Sequence, residues 1–341
     1  MNQADSEAAV LLEAINASWT TQTIAAAVDL RIPDLLGDAP LECDALARAA
    51  GCDAPSLRRL LAALASLSLV TRDGSGRFAL TPRGALLRSD VPGSLAAWAL
   101  FCGTRAWRNW AHLADSVRSG SSATRGSGGS DDFSRLDADA LAADLFHRAM
   151  TNLTRPVAAA FAASVDLGGD LRVVDVGGGY GQLITALLLA HPRVRGVLFD
   201  LPHAIKPAAA LIAHLGLSSR CELVGGTFFD VLPGGADVYL LKSVLHNWDD
   251  EHCARILRRC HQAMASRPGA RLFVIERLTP ERFAATPRDR AIARSDLNML
   301  VSLGGRERSE REYGGLLAGA ALHATCIRGL ANEYGVIEAV L

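Results

Sequence analysis

Leu171-Arg-Val-Val-Asp-Val-Gly-Gly-Gly-Tyr-Gly181 is the stretch that decides the fold. A short apolar run, broken only by Arg172 and Asp175, ends in alternating glycines, and an apolar helical stretch follows at 182–191. A buried strand that enters a helix through a glycine turn opens a doubly wound α/β sheet. The pattern repeats, with strands at 194–199, 221–224, 238–241 and 271–276 and helices at 204–215 and 251–265. Alternation of this kind predicts a Rossmann-like, mostly parallel sheet. The chain closes differently. His323–Gly329 and Tyr334–Val340 are adjacent β-rich runs, which predict a C-terminal antiparallel hairpin.

Upstream the periodicity is helical. Residues 8–28 carry apolar side chains nearly all round, so a helix there is expected to be buried on several faces, in a core or a subunit interface. Two short helices follow at 45–50 and 55–67, with Pro55 in a first turn and Asp53 or Ala54 at the cap. The runs 69–72 and 77–81 flank Asp73-Gly74-Ser75-Gly76, a hairpin turn. Helix, helix, hairpin is a winged helix. Residues 1–100 nevertheless carry eight Arg against eleven Asp or Glu, a net of −3. Phosphate binding needs a concentrated basic face, so a dimerisation module is expected here and a nucleic-acid partner is not. The expected domains are therefore a winged-helix-like dimerisation domain at 1–100, a helical linker region at 101–165 with a mobile Gly/Ser-rich loop at 119–131, and a catalytic domain at 166–341.

Composition sets the class. The 341 residues are half hydrophobic with a net charge of −1, an ordinary globular profile with no excess for polyanions. Asp5 and Glu7 stand where a signal peptide would be basic, and no apolar run has the length of a membrane span. Seven cysteines without a Cys-x-x-Cys pair read as reduced thiols, hence a cytoplasmic protein. Arg and Ala abound while lysine occurs only at 206 and 242, the bias of a GC-rich bacterial gene.

The glycine spacing narrows the ligand. Gly177, Gly179 and Gly181 give G-x-G-x-G; the dinucleotide fingerprint requires its third glycine where Gln182 stands. A tight turn without pyrophosphate spacing suits a nucleoside lacking phosphates, such as S-adenosylmethionine, although a purely structural turn satisfies the same pattern. Asp200, followed by Leu201, ends the second strand some twenty residues on, where an acid can accept from ribose hydroxyls or cap the next helix. Lys242-Ser-Val-Leu-His246-Asn-Trp-Asp-Asp250 follows a later strand, at the edge where such sheets place chemistry. No His, Cys or Asp cluster has metal-ligand spacing, so no metal is expected.

Four segments now stand in order: Asp-Val-Gly-Gly-Gly-Tyr-Gly, Phe-Asp-Leu-Pro, Leu-Lys-Ser-Val-Leu-His-Asn-Trp-Asp-Asp and Gly-Gly-Arg-Glu-Arg-Ser-Glu-Arg-Glu-Tyr. Together they resemble the plant caffeic-acid-type and bacterial natural-product O-methyltransferases over nearly the whole chain. The resemblance implies S-adenosylmethionine as methyl donor, S-adenosylhomocysteine as product, a homodimer and an aromatic or polyketide-like acceptor. His246 matches the general base, with Glu276 and Glu307 as flanking acids. Asp175, Gly177, Gly179, Gly181, Asp200, Leu201, Thr227, Phe228 and Lys242 fall in cofactor-binding segments. Thr227 is a departure, standing where many members carry Asp or Ser. Phe146, Met150, Asn298, Met299 and Ser302 fall in segments that line the acceptor pocket. Two other functions fit parts of the pattern. One is an enzyme of this fold diverted to hydroxylation or decarboxylation; the other is a winged-helix transcription regulator.

Overall fold

The computed structural model describes residues 3–122 and 139–341. Of the Gly/Ser-rich loop expected at 119–131, residues 123–131 lie outside the described residues. Its first four residues are held: Ser119 ends the helix Leu113–Ser119, Gly120 closes it at φ 68°, and buried Ser122 donates from Oγ to the Val301 carbonyl.

The chain forms two compact units, Met1–Arg108 with Arg148–Asn152, and Asn109–His147 with Leu153–Leu341. In the first, helices Cys43–Ala50 and Ala54–Ser66 precede strands β1 (Val70–Arg72) and β2 (Phe78–Leu80), the expected winged arrangement. Asp53 is the cap, accepting from the Ser56 amide. The antiparallel pair is turned by Asp73, whose Oδ1 accepts from the amides of Ser75 and Arg77. Ile32, Leu46, Leu57, Leu61, Leu64, Val70 and Phe78 close a core. The long helix Gln3–Asp29 is only partly buried in a single chain. Ala25 and Ala27 are buried, but Val10, Leu11, Leu12, Ile15 and Trp19 each expose more than half their surface. Burial of that apolar stretch is not reached within one chain.

The second unit holds a seven-stranded sheet: β3 (Arg172–Val176), β4 (Arg195–Asp200), β5 (Cys221–Gly225), β6 (Val238–Lys242), β7 (Arg271–Arg277), β8 (His323–Gly329) and β9 (Tyr334–Val340). Their spatial order is β5-β4-β3-β6-β7-β9-β8. The first five pair in parallel and β9 pairs antiparallel with both β7 and β8, as the terminal hairpin predicts. Because side chains alternate along a strand, Val174, Tyr239, Leu241 and Val274 pack on one face against Cys253, Ile256 and Leu257 of the helix Asp250–Met264. Val173, Leu198, Leu240 and Phe273 pack on the other, against Val157 and Phe161 of the helix Ala140–Ser164. Both faces are covered, which is why the parallel strands are almost wholly apolar. Among the described residues no helix is long and apolar enough to cross a membrane.

Phe161 is fully buried and meets Phe273 edge to face, ring centroids 5.4 Å apart; Leu141 on the same helix is 86% exposed. Phe161→Ala should therefore destabilise the sheet unit by about 3–5 kcal/mol, whereas Leu141→Ala should change stability by less than about 0.5 kcal/mol. Denaturant midpoints compared for the two variants check this.

Candidate active site

The strand order reverses at the β3–β6 pair, with β4 and β5 on one side and β7 on the other. The turn leaving β3 and the loop leaving β6 therefore meet at the carboxyl edge, where such sheets bind ligands. A Cβ on Gly177 would lie 3.0 Å from Val244 Cγ2 and 3.5 Å from Phe228 Cε1, so three loops converge there. Gly177, Gly179 and Gly181 all take positive φ, which explains their alternation. Gly178 has a different reason to be glycine: a Cβ would meet Leu198 Cδ1 at 2.4 Å and Asp175 Oδ2 at 2.5 Å.

Asp200, at the end of β4, accepts from the Gly179 and Leu201 amides at 2.6 Å each, which leaves roughly half of a carboxylate's four lone-pair positions for a ligand. Burial raises its pKa and these two amides oppose the rise. Asp175 is buried, and burial first, then the charge of Asp200, pushes its carboxyl up to about 7; its Oδ2 has no hydrogen-bond partner. Lys242 donates to Thr154 Oγ1 at 2.9 Å and lies over the Tyr334 ring. Thr227 turns its hydroxyl onto the Phe229 amide.

Residues that the motif reading missed complete this cleft. His147 stacks on Tyr180 with centroids 4.5 Å apart, and its Nδ1 lies 3.7 Å from the position of a Gly179 Cβ. Its Nε2 is buried without a partner, and burial, then the nearby His203, lowers its pKa to about 4, so the ring is neutral. Buried acceptors, a neutral ring and an open glycine turn fit a nucleoside carrying an amino acid, as S-adenosylmethionine does. His147 belongs to no spaced motif; only its packing against the turn reveals it.

The second half of the site is built on the β6 and β7 exits. His246 sits in a short 3-10 turn, Leu245–Asn247, and is buried. Its Nδ1 lies 3.0 Å from Glu307 Oε1 and 3.7 Å from Glu276 Oε2, whereas among the described residues no hydrogen bond occupies Nε2. The two acids do different work. Glu276, fully buried at the end of β7, uses Oε1 to accept from the amides of Val244 and Leu245 at 2.9 Å and His246 at 3.4 Å, and so caps the turn that carries the histidine. Glu307 bonds the ring itself and also accepts from Ser295 Oγ at 2.6 Å, while its backbone amide donates to Asp296 Oδ1. Burial alone pushes the imidazole down, but Glu276 and Glu307 together outweigh it and raise its pKa to about 9. Burial raises the Glu276 carboxyl, while at Glu307 the His246 charge and the Ser295 bond overcome burial and lower it. The donor atoms of the three side chains lie within 4.8 Å of one another, close enough for a cation by distance alone. A proton between Nδ1 and Glu307 already accounts for the shortest of these contacts.

The remaining sequence-predicted residues lie on two helices, Ala140–Ser164 and Pro287–Ser302. Phe146 packs edge-on against His147. Asn298 Oδ1 is taken by Trp110 Nε1, and Ser302 Oγ by Asn109 Nδ2. Met299 is nearly buried on the same helix, Pro287–Ser302, and Met150 belongs to the first compact unit.

A Rossmann-like sheet with a phosphate-free glycine turn and a buried histidine–carboxylate cluster defines a nucleoside-dependent transferase of the methyltransferase class. Residues 110–323 match the model of the O-methyltransferase domain, and residues 12–90 that of the O-methyltransferase dimerisation domain. The chain is 35% identical to a phenazine O-methyltransferase of Lysobacter antibioticus, over 97% of this chain and 95% of that one. It is 39% identical to the mitomycin biosynthesis 6-O-methyltransferase of Streptomyces lavendulae, over 90% and 87%. The crystal structure of NcsB1, an O-methyltransferase from neocarzinostatin biosynthesis in complex with S-adenosylmethionine and 2-hydroxy-5-methyl naphthoic acid, superimposes with a TM-score of 0.78 at 34% identity, covering 94% of this chain and 95% of that one. The chain belongs to the S-adenosylmethionine-dependent O-methyltransferase family.

Gly178→Ala should push Asp175 and Leu198 out of place and weaken S-adenosylhomocysteine binding roughly five- to hundredfold, the equivalent of the usual 1–3 kcal/mol for overpacking. Isothermal titration calorimetry measures it.

Proposed function

We propose that the protein methylates a hydroxyl of an aromatic or polyketide-like small molecule, with His246 as general base. The carrying observation is the 3.0 Å contact from His246 Nδ1 to Glu307, which leaves Nε2 as the ring nitrogen to face an acceptor. S-adenosylmethionine supplies a methyl group on a positively charged sulfur, so the protein has to provide an oxygen nucleophile, alignment and a dry cleft. A phenol with pKa near 10 is mostly protonated at neutral pH and is a poor nucleophile. A neutral imidazole in hydrogen-bond reach takes that proton as the bond to carbon forms, typically worth about 10²–10⁴-fold. Glu307 holds the tautomer with its proton on Nδ1 and stabilises the imidazolium that results. Glu276 holds the backbone turn beneath it.

Asp175, Gly177, Gly179, Gly181, Asp200, Leu201, Thr227, Phe228 and Lys242 are proposed to hold the cofactor, Asp200 through the ribose. Phe146, Asn298, Met299 and Ser302 are proposed to meet the acceptor. The aromatic acceptor class rests on the names of the similar enzymes and on the naphthoic acid in NcsB1. Residues 1–100 are proposed to pair two chains into a homodimer. The apolar side chains from Val10 to Trp19, exposed in one chain, support that reading.

A library of phenols incubated with S-adenosylmethionine should yield a product heavier by one methylene unit, undiminished by a chelator. A product gaining oxygen or losing carbon dioxide would instead mark a diverted enzyme. His246→Ala should abolish turnover while S-adenosylhomocysteine still binds; retained turnover sinks the base assignment.

The pH dependence has a definite sign. Below about 9 the imidazole carries protons on both nitrogens and cannot accept another. The rate at low acceptor concentration, kcat/KM, should therefore rise with pH toward that value. Glu307→Gln removes one of the charges that raise the histidine, so the limb should move to lower pH as the maximum rate falls.

A further inference from the structure

Arg308 has no exposed surface and is the largest side chain buried so completely among the described residues, yet it bonds none of the three chemical side chains. Its guanidinium instead grips the base loop. Nη1 donates to the Leu245 carbonyl at 3.1 Å and Nη2 to the Trp248 carbonyl at 2.7 Å, one on each side of His246. Nε and Nη2 both reach Asp250 Oδ1, at 3.0 and 2.7 Å. The chain before it runs along the same loop. The Arg306 amide donates to the His246 carbonyl at 2.9 Å, and Gly305 approaches so closely that a Cβ would lie 2.1 Å from that oxygen. On its other side Arg308 bridges in parallel to Leu278, just past Glu276, and its carbonyl accepts from the Thr279 amide. Four successive residues, 305 to 308, thus join the histidine's loop to the exit of the strand that carries Glu276, with Glu307 inserted between them.

We propose that Arg308, working with the close approach of Gly305, is the positioning device of the base: it fixes the loop 245–250 so that Nδ1 of His246 meets Glu307 in register. This rests on His246 as the base, and its role is to act through that residue rather than on substrate. A guanidinium suits the task because its planar fork offers several donors in fixed directions, which a single ammonium cannot reproduce. The groups facing the imidazole are Glu276 from β7, Glu307 from this segment and Tyr334 from β9. Arg308→Lys keeps the positive charge and Gly305→Ala carries none, so a change either makes in the histidine's titration comes chiefly through geometry. When the register is lost, the Glu307 contact lengthens and the imidazole loses part of what holds its proton.

The test follows the His246 imidazole directly, in the full chain saturated with S-adenosylhomocysteine and labelled with ¹⁵N-histidine. The signal is assigned by its loss in His246→Ala. Wild-type protein should titrate near 9. Arg308→Lys and Gly305→Ala should each lower that midpoint by about one unit, roughly tenfold in proton affinity, with S-adenosylhomocysteine affinity changed less than about threefold. Gly305→Ala alters no polar group, so its shift reads register alone. Midpoints unmoved in both variants, with the protein folded and binding, overturn the proposal. If Arg308→Lys no longer binds S-adenosylhomocysteine, Gly305→Ala and Asp250→Asn decide, the latter loosening the clamp from its exposed end: a lowered midpoint supports the proposal and an unmoved one ends it. Failure of the base reading shows elsewhere, as turnover retained in His246→Ala, so the two cannot be confused.

Discussion

One carboxylate oxygen carries the catalytic half of the molecule. Glu276 Oε1 collects the amides of three successive residues, and without it the turn after β6 would bury donors that nothing else satisfies. The hydrogen bonds are strong because donors and acceptor are all buried, where little water screens them. They also explain why the histidine can occupy so tight a turn at a strand end. The opposing segment then closes over it, Glu307 reaching the ring and Arg308 the carbonyls. The site's side chains are thus held mainly by backbone, and the chemistry of one imidazole depends on hydrogen bonds from three separate chain segments.

The electrostatics follow from the same economy. Two buried acids beside one imidazole cannot each be paired in full, and the structure resolves the competition by geometry. At Glu307 the ring and the Ser295 hydroxyl outweigh burial and lower the pKa, whereas at Glu276, farther from the ring, burial prevails and raises it. If His246 is the base as proposed, its raised pKa adds driving force for proton removal, but the ring has to be neutral to begin. At the other end of the cleft, Asp175 and Asp200 share the edge of the glycine turn; burial raises both, and backbone amides oppose the rise at each, from Ile184 at Asp175 and from Gly179 and Leu201 at Asp200.

Much of this could be read from the sequence, for reasons that differ by element. The parallel strands announced themselves because burial on both faces demands unbroken apolar runs, and the terminal hairpin matched to the residue. The glycine turn, Asp200 and the His246 loop could be placed because each follows a strand at a fixed offset. Arg308 and His147 could not. Each gains its role from neighbours far away in sequence: Arg308 in a charged run that looks like surface, His147 on a helix with no periodic mark. The two acids were legible as a pair, but not their division of labour, since that depends on which oxygen meets which amide. The helix Gln3–Asp29 was legible as an apolar surface but not as to what covers it: of the core and the subunit interface that its sequence allows, one chain buries only its C-terminal part.

The glycine turn has one more implication. As proposed, its contacts and those of Asp200 fall on the nucleoside, which donor and spent product have in common. Binding energy placed there is uniform and cannot tell the two apart. The enzyme is then built to be inhibited by its own S-adenosylhomocysteine, and its steady-state flux depends on how fast other reactions clear that product.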